Sequence, residues 1–148
     1  MSEEKSVRDI AIGLLARREH SCRELSRKLG ARGHASDVVN KVITQLAHEG
    51  LQSDQRFTET YLHSRIQKGY GPMRLRQELQ ERGVDAGLIS VCMESLDVDW
   101  TDILHSVREK KFGKSMPASF RDKSKEARFL QYRGFSTDQI RRIYNNED

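Results

Sequence analysis

Proline and cysteine are scarce in this sequence, and long apolar runs are missing. Two prolines among 148 residues leave few places where a helix has to end. The two cysteines, Cys22 and Cys92, lie far apart and have neither the number expected of a disulfide framework nor the spacing of a zinc site. We therefore expect a helical protein with two reduced cysteines and no structural metal.

The best apolar run extends only from Ile10 to Ala16. A helix needs roughly 20 apolar residues to cross a bilayer, so this run is far too short for a membrane span. The first residues, Met1 to Lys5, also lack the basic segment that opens a secretory signal. We expect a cytoplasmic protein that does not contact membranes.

Residue patterns that carry catalysis are also missing. The five histidines are scattered and form no pair at the helical i, i+4 spacing of metal ligands. Gly69-Tyr70-Gly71 is followed by Pro72, without the Lys-Ser or Lys-Thr of a phosphate-binding loop. Most carboxylates flank basic residues or stand at the predicted starts of helices. The sequence therefore predicts a protein that is not an enzyme, with no catalytic residue, no cofactor and no metal.

Positive charge is concentrated in the last third of the chain. The formal net charge is +4, and residues 100–148 hold 11 basic and 7 acidic side chains, which is again +4. Such a segment is suited to a polyanion or to an acidic partner. The alternative is that Lys110, Lys111, Lys123 and Lys125 only keep a surface soluble.

An internal repeat of about fifty residues organises the apolar positions. The first copy places apolar residues or glycine at Leu25, Leu29, Gly33, Val39, Ile43 and Leu46. Fifty residues later the same pattern appears at Leu75, Leu79, Gly83, Ile89, Met93 and Leu96. A weaker third copy, shifted by a further 51 residues, is found at Leu130, Gly134, Ile140 and Tyr144. A repeat of this length is the mark of a chain built from similar small modules.

Each copy has the apolar spacing of three helices, and no segment has the alternation of a strand. The predicted fold is therefore all-α, with three tandem three-helix, helix-turn-helix-like repeats at residues 1–50, 51–98 and 99–148. A unit of this size buries about 60% of its unfolded surface and is marginal alone. We expect the repeats to pack against one another in an elongated, curved arrangement.

Several helix boundaries can be predicted from local signals. Ser21 followed by Glu24 has the form of a capping box. Pro72 suits the first position of a helix, and Asp85 suits a helix start. The first helix is expected from about Val7, and after a looser segment at 112–117 another helix is expected from about Ser124.

The central repeat carries the most specific pattern in the chain. It contains Asp54, Phe57, Tyr61 and Arg65, followed by Gly69-x-Gly71 and, further on, by Leu79 and Gly83. At these spacings the pattern resembles the signature of the RecX family of recombination regulators, and the resemblance extends over nearly the whole chain. It implies binding to the RecA nucleoprotein filament. It also implies inhibition of filament extension and of the ATPase, strand-exchange and co-protease activities of RecA in recombination, DNA repair and the SOS response.

Two groups of residues follow from this resemblance and from the charge pattern. The structural signature comprises Asp54, Phe57, Tyr61, Gly69, Gly71, Leu79 and Gly83. The candidate contacts to RecA or DNA are Arg65, Lys68, Tyr70, Arg74, Arg76, Lys110, Lys111, Lys123, Lys125, Arg128, Arg141 and Arg142. We expect a monomer whose partner is the RecA filament, with weak and non-specific DNA binding as a secondary property.

The alternative is a helix-turn-helix-type DNA-binding protein with little sequence specificity. A recognition helix places its first residues at the bases in the major groove. The third helices of the three repeats open with Ser36-Asp37, Asp85-Ala86 and Thr137-Asp138. An acid at that end suits the helix dipole but repels phosphate, which makes this alternative the weaker one.

Overall fold

The computed structural model describes residues 2–145, and within that range the regular secondary structure is entirely helical. Its helices are α1 Glu3–Arg17, α2 Cys22–Ala31, α3 Ser36–His48, α4 Asp54–Gln67, α5 Pro72–Glu81, α6 Ala86–Glu94, α7 Trp100–Phe112, α8 Phe120–Arg133 and α9 Thr137–Tyr144. No strand occurs among the described residues. The predicted all-α class is confirmed.

The local signals in the sequence mark several of these boundaries correctly. The hydroxyl of Ser21 accepts from the amide of Glu24, whose carboxylate accepts in return from the amide of Ser21, so the predicted capping box is present. Pro72 is the first residue of α5. The carboxylate of Asp85 accepts from the amides of Gly87 and Leu88 and so caps α6.

Two helices begin earlier than the apolar spacing indicates. Helix α8 starts at Phe120 instead of Ser124, because the hydroxyl of Ser119 accepts from the amide of Asp122 and caps the helix there. Helix α1 starts at Glu3 instead of Val7, with Ser2 as its cap. The first turn of α1 is polar, and the one apolar residue in the first turn of α8, Phe120, is 83% exposed, so neither turn continues the apolar stripe that faces the core.

The chain packs as two compact units. Unit 1 comprises Met1–Tyr61 and Leu79–Glu94, and unit 2 comprises Leu62–Glu78 and Ser95–Asp148, in each case as far as the described residues extend. Helices α4 and α5 therefore each contribute residues to both units. The repeat boundaries at 50 and 98 and the elongated, curved arrangement remain predictions.

The first core of unit 1 lies among α1, α2 and α3, which contact one another. Its buried members are Val7, Ala11, Leu25, Leu29, Val39, Val42, Ile43 and Leu46. Five of them, Leu25, Leu29, Val39, Ile43 and Leu46, are apolar positions of the first copy of the repeat, and Val7, Ala11 and Val42 complete the core. Helical periodicity alone therefore places this core correctly.

A buried histidine in unit 1 lies beside this core. His20 is 1% exposed. Its Nδ1 lies 3.0 Å from the carbonyl oxygen of Arg18, and its Nε2 lies 3.0 Å from the Nζ of Lys28. Because the ammonium of Lys28 can only donate, Nε2 acts as an acceptor and the ring is neutral. Burial lowers the pKa of His20, and the nearby charges of Arg18 and Lys28 lower it further.

In unit 2 the helices α7, α8 and α9 enclose a second core. It contains Leu104, Leu130, Phe135, Ile140 and Ile143. Gly134 follows α8 in the left-handed region at φ 103°, which turns the chain into α9. Ser136 then forms a second capping box with Gln139.

An ion pair is buried beside the core of unit 2. Arg108 is 1% exposed, and its Nε donates to Oε1 of Glu126 over 2.7 Å. Its two terminal nitrogens donate to the carbonyl oxygens of Gly113 and Ser115, at 3.2 and 2.6 Å. The hydroxyl of Tyr144 donates to the same Oε1 over 2.6 Å, and burial together with this carboxylate raises the pKa of Tyr144. This network joins α7, α8 and α9 and holds the segment after α7.

Replacement of Arg108 by Met is expected to destabilise the protein strongly, because it leaves the carboxylate of Glu126 buried without a counter-charge. Breaking a buried pair in this way costs about 3–5 kcal/mol. The free energy of unfolding in urea, followed by circular dichroism, measures the loss. Arg8→Ala is the matched control, since its pair with Glu49 is exposed and its loss should cost much less. Equal losses in the two variants would contradict the structural role of Arg108.

Lowering the pH is expected to destabilise unit 1 through His20. The pKa of His20 is depressed from its ordinary value of 6.5 in the folded state. The unfolded chain therefore takes up the proton first, and the stabilisation by the neutral ring is lost as the pH falls below that value. Urea unfolding between about pH 7.5 and pH 5.5 measures this loss. His20→Gln, which does not titrate, should show a flatter dependence; an identical slope would exclude His20 as the cause.

Candidate partner-binding surface

The central group of predicted contact residues surrounds one aromatic ring. Tyr70 lies in the turn between α4 and α5, in unit 2. The guanidinium carbon of Arg65 lies 3.9 Å from the centroid of the Tyr70 ring, that of Arg74 lies 4.5 Å away, and that of Arg133 lies 4.9 Å away. Each of the three guanidinium groups is attracted by the π-electrons of the ring. Arg133 of α8 was not among the predicted contact residues. It is far from Tyr70 in sequence, and only the folding of the chain brings the two side chains together.

Two of these guanidinium groups are also paired with a carboxylate. Arg65 donates to both carboxylate oxygens of Glu78, at 3.2 and 3.0 Å. Arg74 donates to Oε2 of Glu78 over 3.0 Å, and the hydrogen bond raises the pKa of Arg74. The side chain of Glu78 is 15% exposed. The positive charge that Arg65 and Arg74 offer to a partner is therefore reduced, whereas Lys68 and Arg76 are exposed.

The turn between α4 and α5 packs backbone to backbone against the turn between α8 and α9. The amide of Gly71 donates to the carbonyl of Arg133 over 2.7 Å, and the amide of Met73 donates to the carbonyl of Gly134 over 3.0 Å. A Cβ atom on Gly71 would lie 2.6 Å from the carbonyl carbon and oxygen of Gly134. This approach requires a glycine at position 71.

The signature residues Asp54, Phe57 and Tyr61 make structural contacts within unit 1. Oδ1 of Asp54 accepts from the amide of Cys22, at the start of α2, and from Nε2 of Gln52, both over 2.9 Å. Burial raises the pKa of the Cys22 thiol to about 11, and the neighbouring carboxylate of Asp54 adds to the shift. The ring centroids of Phe57 and Tyr61 are 5.6 Å apart.

The two remaining signature positions in unit 1 are also enclosed by packing. Leu79 is fully buried. Gly83 has a φ of 81°, and a Cβ atom on it would lie 2.7 Å from the side chain of Arg23. A residue with a side chain would be strained there both in its backbone and by this contact.

The predicted basic residues of the last third are found in three places in unit 2. Lys110 and Lys111 lie at the end of α7, and with Lys68 they line a cleft of about 490 Å³. Lys125 and Arg128 are exposed on one face of α8, whereas Lys123 lies 5.7 Å from the ring of Tyr144. On α9 both arginines are exposed, and Arg141 lies 3.7 Å from Asp138.

Within residues 2–145 no group of three or more His, Cys, Asp or Glu side chains is placed to hold a metal ion. In the same range no helix has the length and apolar character that crossing a bilayer requires. The two cysteines are free, with Cys92 buried and Cys22 partly exposed.

Comparison with known families gives matches along nearly the whole chain. Three family models match it: "RecX, first three-helix domain" at residues 8–46, "RecX, second three-helix domain" at 53–93 and "RecX, third three-helix domain" at 97–144. The regulatory protein RecX of Halorhodospira halophila is 47% identical over 137 residues, which cover 93% of this chain and 85% of that protein. The regulatory protein RecX of Pseudomonas fluorescens is 41% identical over 138 residues, covering 93% and 89%.

Solved structures support the fold. The crystal structure of RecX from Lactobacillus salivarius superposes with a TM-score of 0.79 at 20% identity, covering 97% of this chain and 95% of that one. A second crystal structure, of a regulatory protein RecX, gives a TM-score of 0.78 at 16% identity and covers 97% and 72%. The arrangement of the helices is therefore that of solved RecX proteins.

The same substitution at two glycines is expected to have opposite effects. Gly71→Ala should destabilise the protein by about 1–3 kcal/mol, the usual cost of overpacking, because its Cβ would overlap the backbone of Gly134. Gly13→Ala should stabilise it by about 0.5–1 kcal/mol, since Gly13 lies inside α1 and no atom lies within 4 Å of an added Cβ. Urea unfolding of the two variants measures both changes. A neutral Gly71→Ala would contradict the close backbone contact.

Proposed function

The chain belongs to the RecX family, and on that premise we propose that it binds the filament that the RecA recombinase forms on single-stranded DNA and restrains its activity. The observation that carries this proposal is the match of three successive RecX domains to residues 8–46, 53–93 and 97–144. The proposed consequences are slower filament extension and lower ATPase, strand-exchange and co-protease activity. These would limit recombination, DNA repair and the SOS response.

The exact repeat boundaries and the contact residues are part of the proposal. The repeats at 1–50, 51–98 and 99–148 each contain one of the matched segments. The proposed contacts are the exposed basic residues of unit 2, chiefly Lys68, Arg76, Lys110, Lys111, Lys125, Arg128 and Arg142. Arg65 and Arg74, which pair with Glu78 and lie over the Tyr70 ring, are proposed with Tyr70 to shape this surface more than to offer free charge.

The protein is proposed to act by binding and not by catalysis, as a cytoplasmic monomer. Its relatives are named as regulatory proteins, which supports a role without a reaction of its own.

DNA binding with little sequence specificity remains the second candidate. The observation that favours it is the exposed pair Arg141-Arg142 in the last turn of α9, where two guanidinium groups can contact phosphates. Because α6 begins with Asp85 as its cap and Asp138 lies in the first turn of α9, we propose DNA contact only as a weak, salt-sensitive property.

Substoichiometric amounts of the protein are expected to lower the ATP hydrolysis rate of RecA on circular single-stranded DNA. A ligand that caps or coats a cooperative filament acts on more protomers than it contacts, so inhibition should appear well below one copy per protomer. The steady-state hydrolysis rate and co-sedimentation with the filament are the measurements. An unchanged rate together with no co-sedimentation would exclude the proposal.

Charge reversal on α8 tests the contact residues. Lys125→Glu/Arg128→Glu should weaken inhibition while leaving helicity intact, because both side chains are exposed. Arg17→Glu/Arg27→Glu, which reverses two exposed charges in unit 1, is the control with the same change in net charge. If instead the wild type bound one duplex sequence about 10³-fold more tightly than others, a DNA-binding function would take precedence.

A further inference from the structure

The cleft of unit 2 combines an apolar floor with a cationic rim. Its volume of about 490 Å³ falls in the range of about 300–1,000 Å³ that is typical of ligand sites. The end of α4, α7 and α8 form its walls. The floor is lined by Ile66, Ile103, Val107 and Phe129, all of them partly exposed.

Gly69 keeps part of this space open. It lines the cleft at a φ of 89°. A Cβ atom there would lie 3.0 Å from Cγ2 of Val107 and 3.4 Å from Nη1 of Arg133. Any side chain at position 69 would therefore fill the space between two residues that line the cleft.

The rim carries more positive than negative charge. Lys68, Lys110, Lys111 and Arg133 line the cleft, and among the described residues in its lining Asp102 is the carboxylate. No ion pair within residues 2–145 is formed by any of these four cations. Arg133 is held in place by its bond to the carbonyl of Lys68 over 2.9 Å, which fixes one cation at the edge of the apolar floor.

We infer that this cleft binds a segment of a partner protein that inserts one large apolar side chain and presents carboxylates on either side of it. The apolar floor gains from burial of the inserted side chain. The three lysines of the rim gain from the flanking carboxylates, which is the charge complementarity that fixes register and partner choice. The inference deepens the proposed function and rests on it, because it assigns the contact to the protein component of the filament.

A nucleic-acid strand fits the cleft less well. Non-specific strands bind by stacking their bases on free aromatic faces. The ring of Phe129 already has Arg133 at 5.1 Å and Lys111 at 5.5 Å from its centroid, and Phe112 makes an edge contact at 5.4 Å. The remaining floor is aliphatic, and Asp102 would face the phosphates. A peptide needs no stacking platform, and its backbone carries no charge.

Methyl NMR of the full chain tests the cleft without RecA. The probe is a peptide of about eight residues with one central Phe flanked by Glu and Asp on both sides. We expect shifts of the methyl signals of Ile103 and Val107 with a Kd below about 1 mM. A peptide with Gln and Asn flanks, and one with Ser in place of Phe, should each bind at least about tenfold more weakly, a difference of about 1.4 kcal/mol. No shift at these methyls, or larger shifts with a short oligothymidylate, would overturn the inference.

Filament binding gives the second measurement. Lys110→Glu/Lys111→Glu is expected to weaken co-sedimentation with RecA filaments by at least about tenfold, whereas the control Arg17→Glu/Arg27→Glu should bind nearly as the wild type does. Wild-type affinity of the cleft variant would overturn the inference and leave the proposed function intact. If the wild type itself failed to bind filaments, the proposed function would be excluded. The peptide titration alone would then decide whether the cleft binds an apolar side chain flanked by carboxylates.

Discussion

The backbone of the α4–α5 turn lies against the backbone of the α8–α9 turn, and the surface of unit 2 that we propose for binding depends on this contact. Gly71 and Gly134 allow the approach, with the Gly71 amide 2.7 Å from the Arg133 carbonyl oxygen. The contact brings Arg133 beside Tyr70 and within hydrogen-bonding distance of the Lys68 carbonyl. Residues far apart in sequence thereby become neighbours. One side of the cleft, where the end of α4 lies near α8, results from this contact. The geometry of the contact is fixed by the backbone, which moves less easily than the long side chains around it.

Formal charge overstates the number of cations that this protein can offer to a partner. Arg108 counts toward the basic last third of the chain, yet it is buried against Glu126. Arg65 and Arg74 share the carboxylate of Glu78. A desolvated, paired guanidinium contributes little attraction at a distance, because its field is largely cancelled by its partner. Four of the seven residues proposed as chief contacts are lysines, whose flexible stems suit adaptable contacts more than rigid bidentate recognition.

Sequence alone was sufficient for the fold class and for the signals that act over a few residues. Periodicity located the buried leucines Leu25 and Leu29, and cap chemistry located the starts of α2 and α5. The sequence was insufficient to predict contacts between segments that are distant along the chain. Nothing local distinguishes the buried Arg108 from the exposed Lys110. Nothing local relates Lys68, in the turn after α4, to Lys111 of α7, although both line the same cleft. First turns without core-facing apolar residues, as in α1 and α8, also cannot be predicted from apolar spacing.

Structural residues and proposed contact residues therefore lie side by side in the same segment, and their physical requirements differ. Gly69 and Gly71 are constrained by backbone geometry, so a change there alters the shape of the proposed binding surface. Lys68, adjacent to Gly69, is exposed, and its proposed contribution is a mobile charge. Loss of binding after a change at Gly71 would report on folding, whereas the same loss after a change at Lys68 would report on contact. Since the resemblance to the RecX family depends on both kinds of residue, stability has to be measured beside binding before any position in this segment is assigned to the interface.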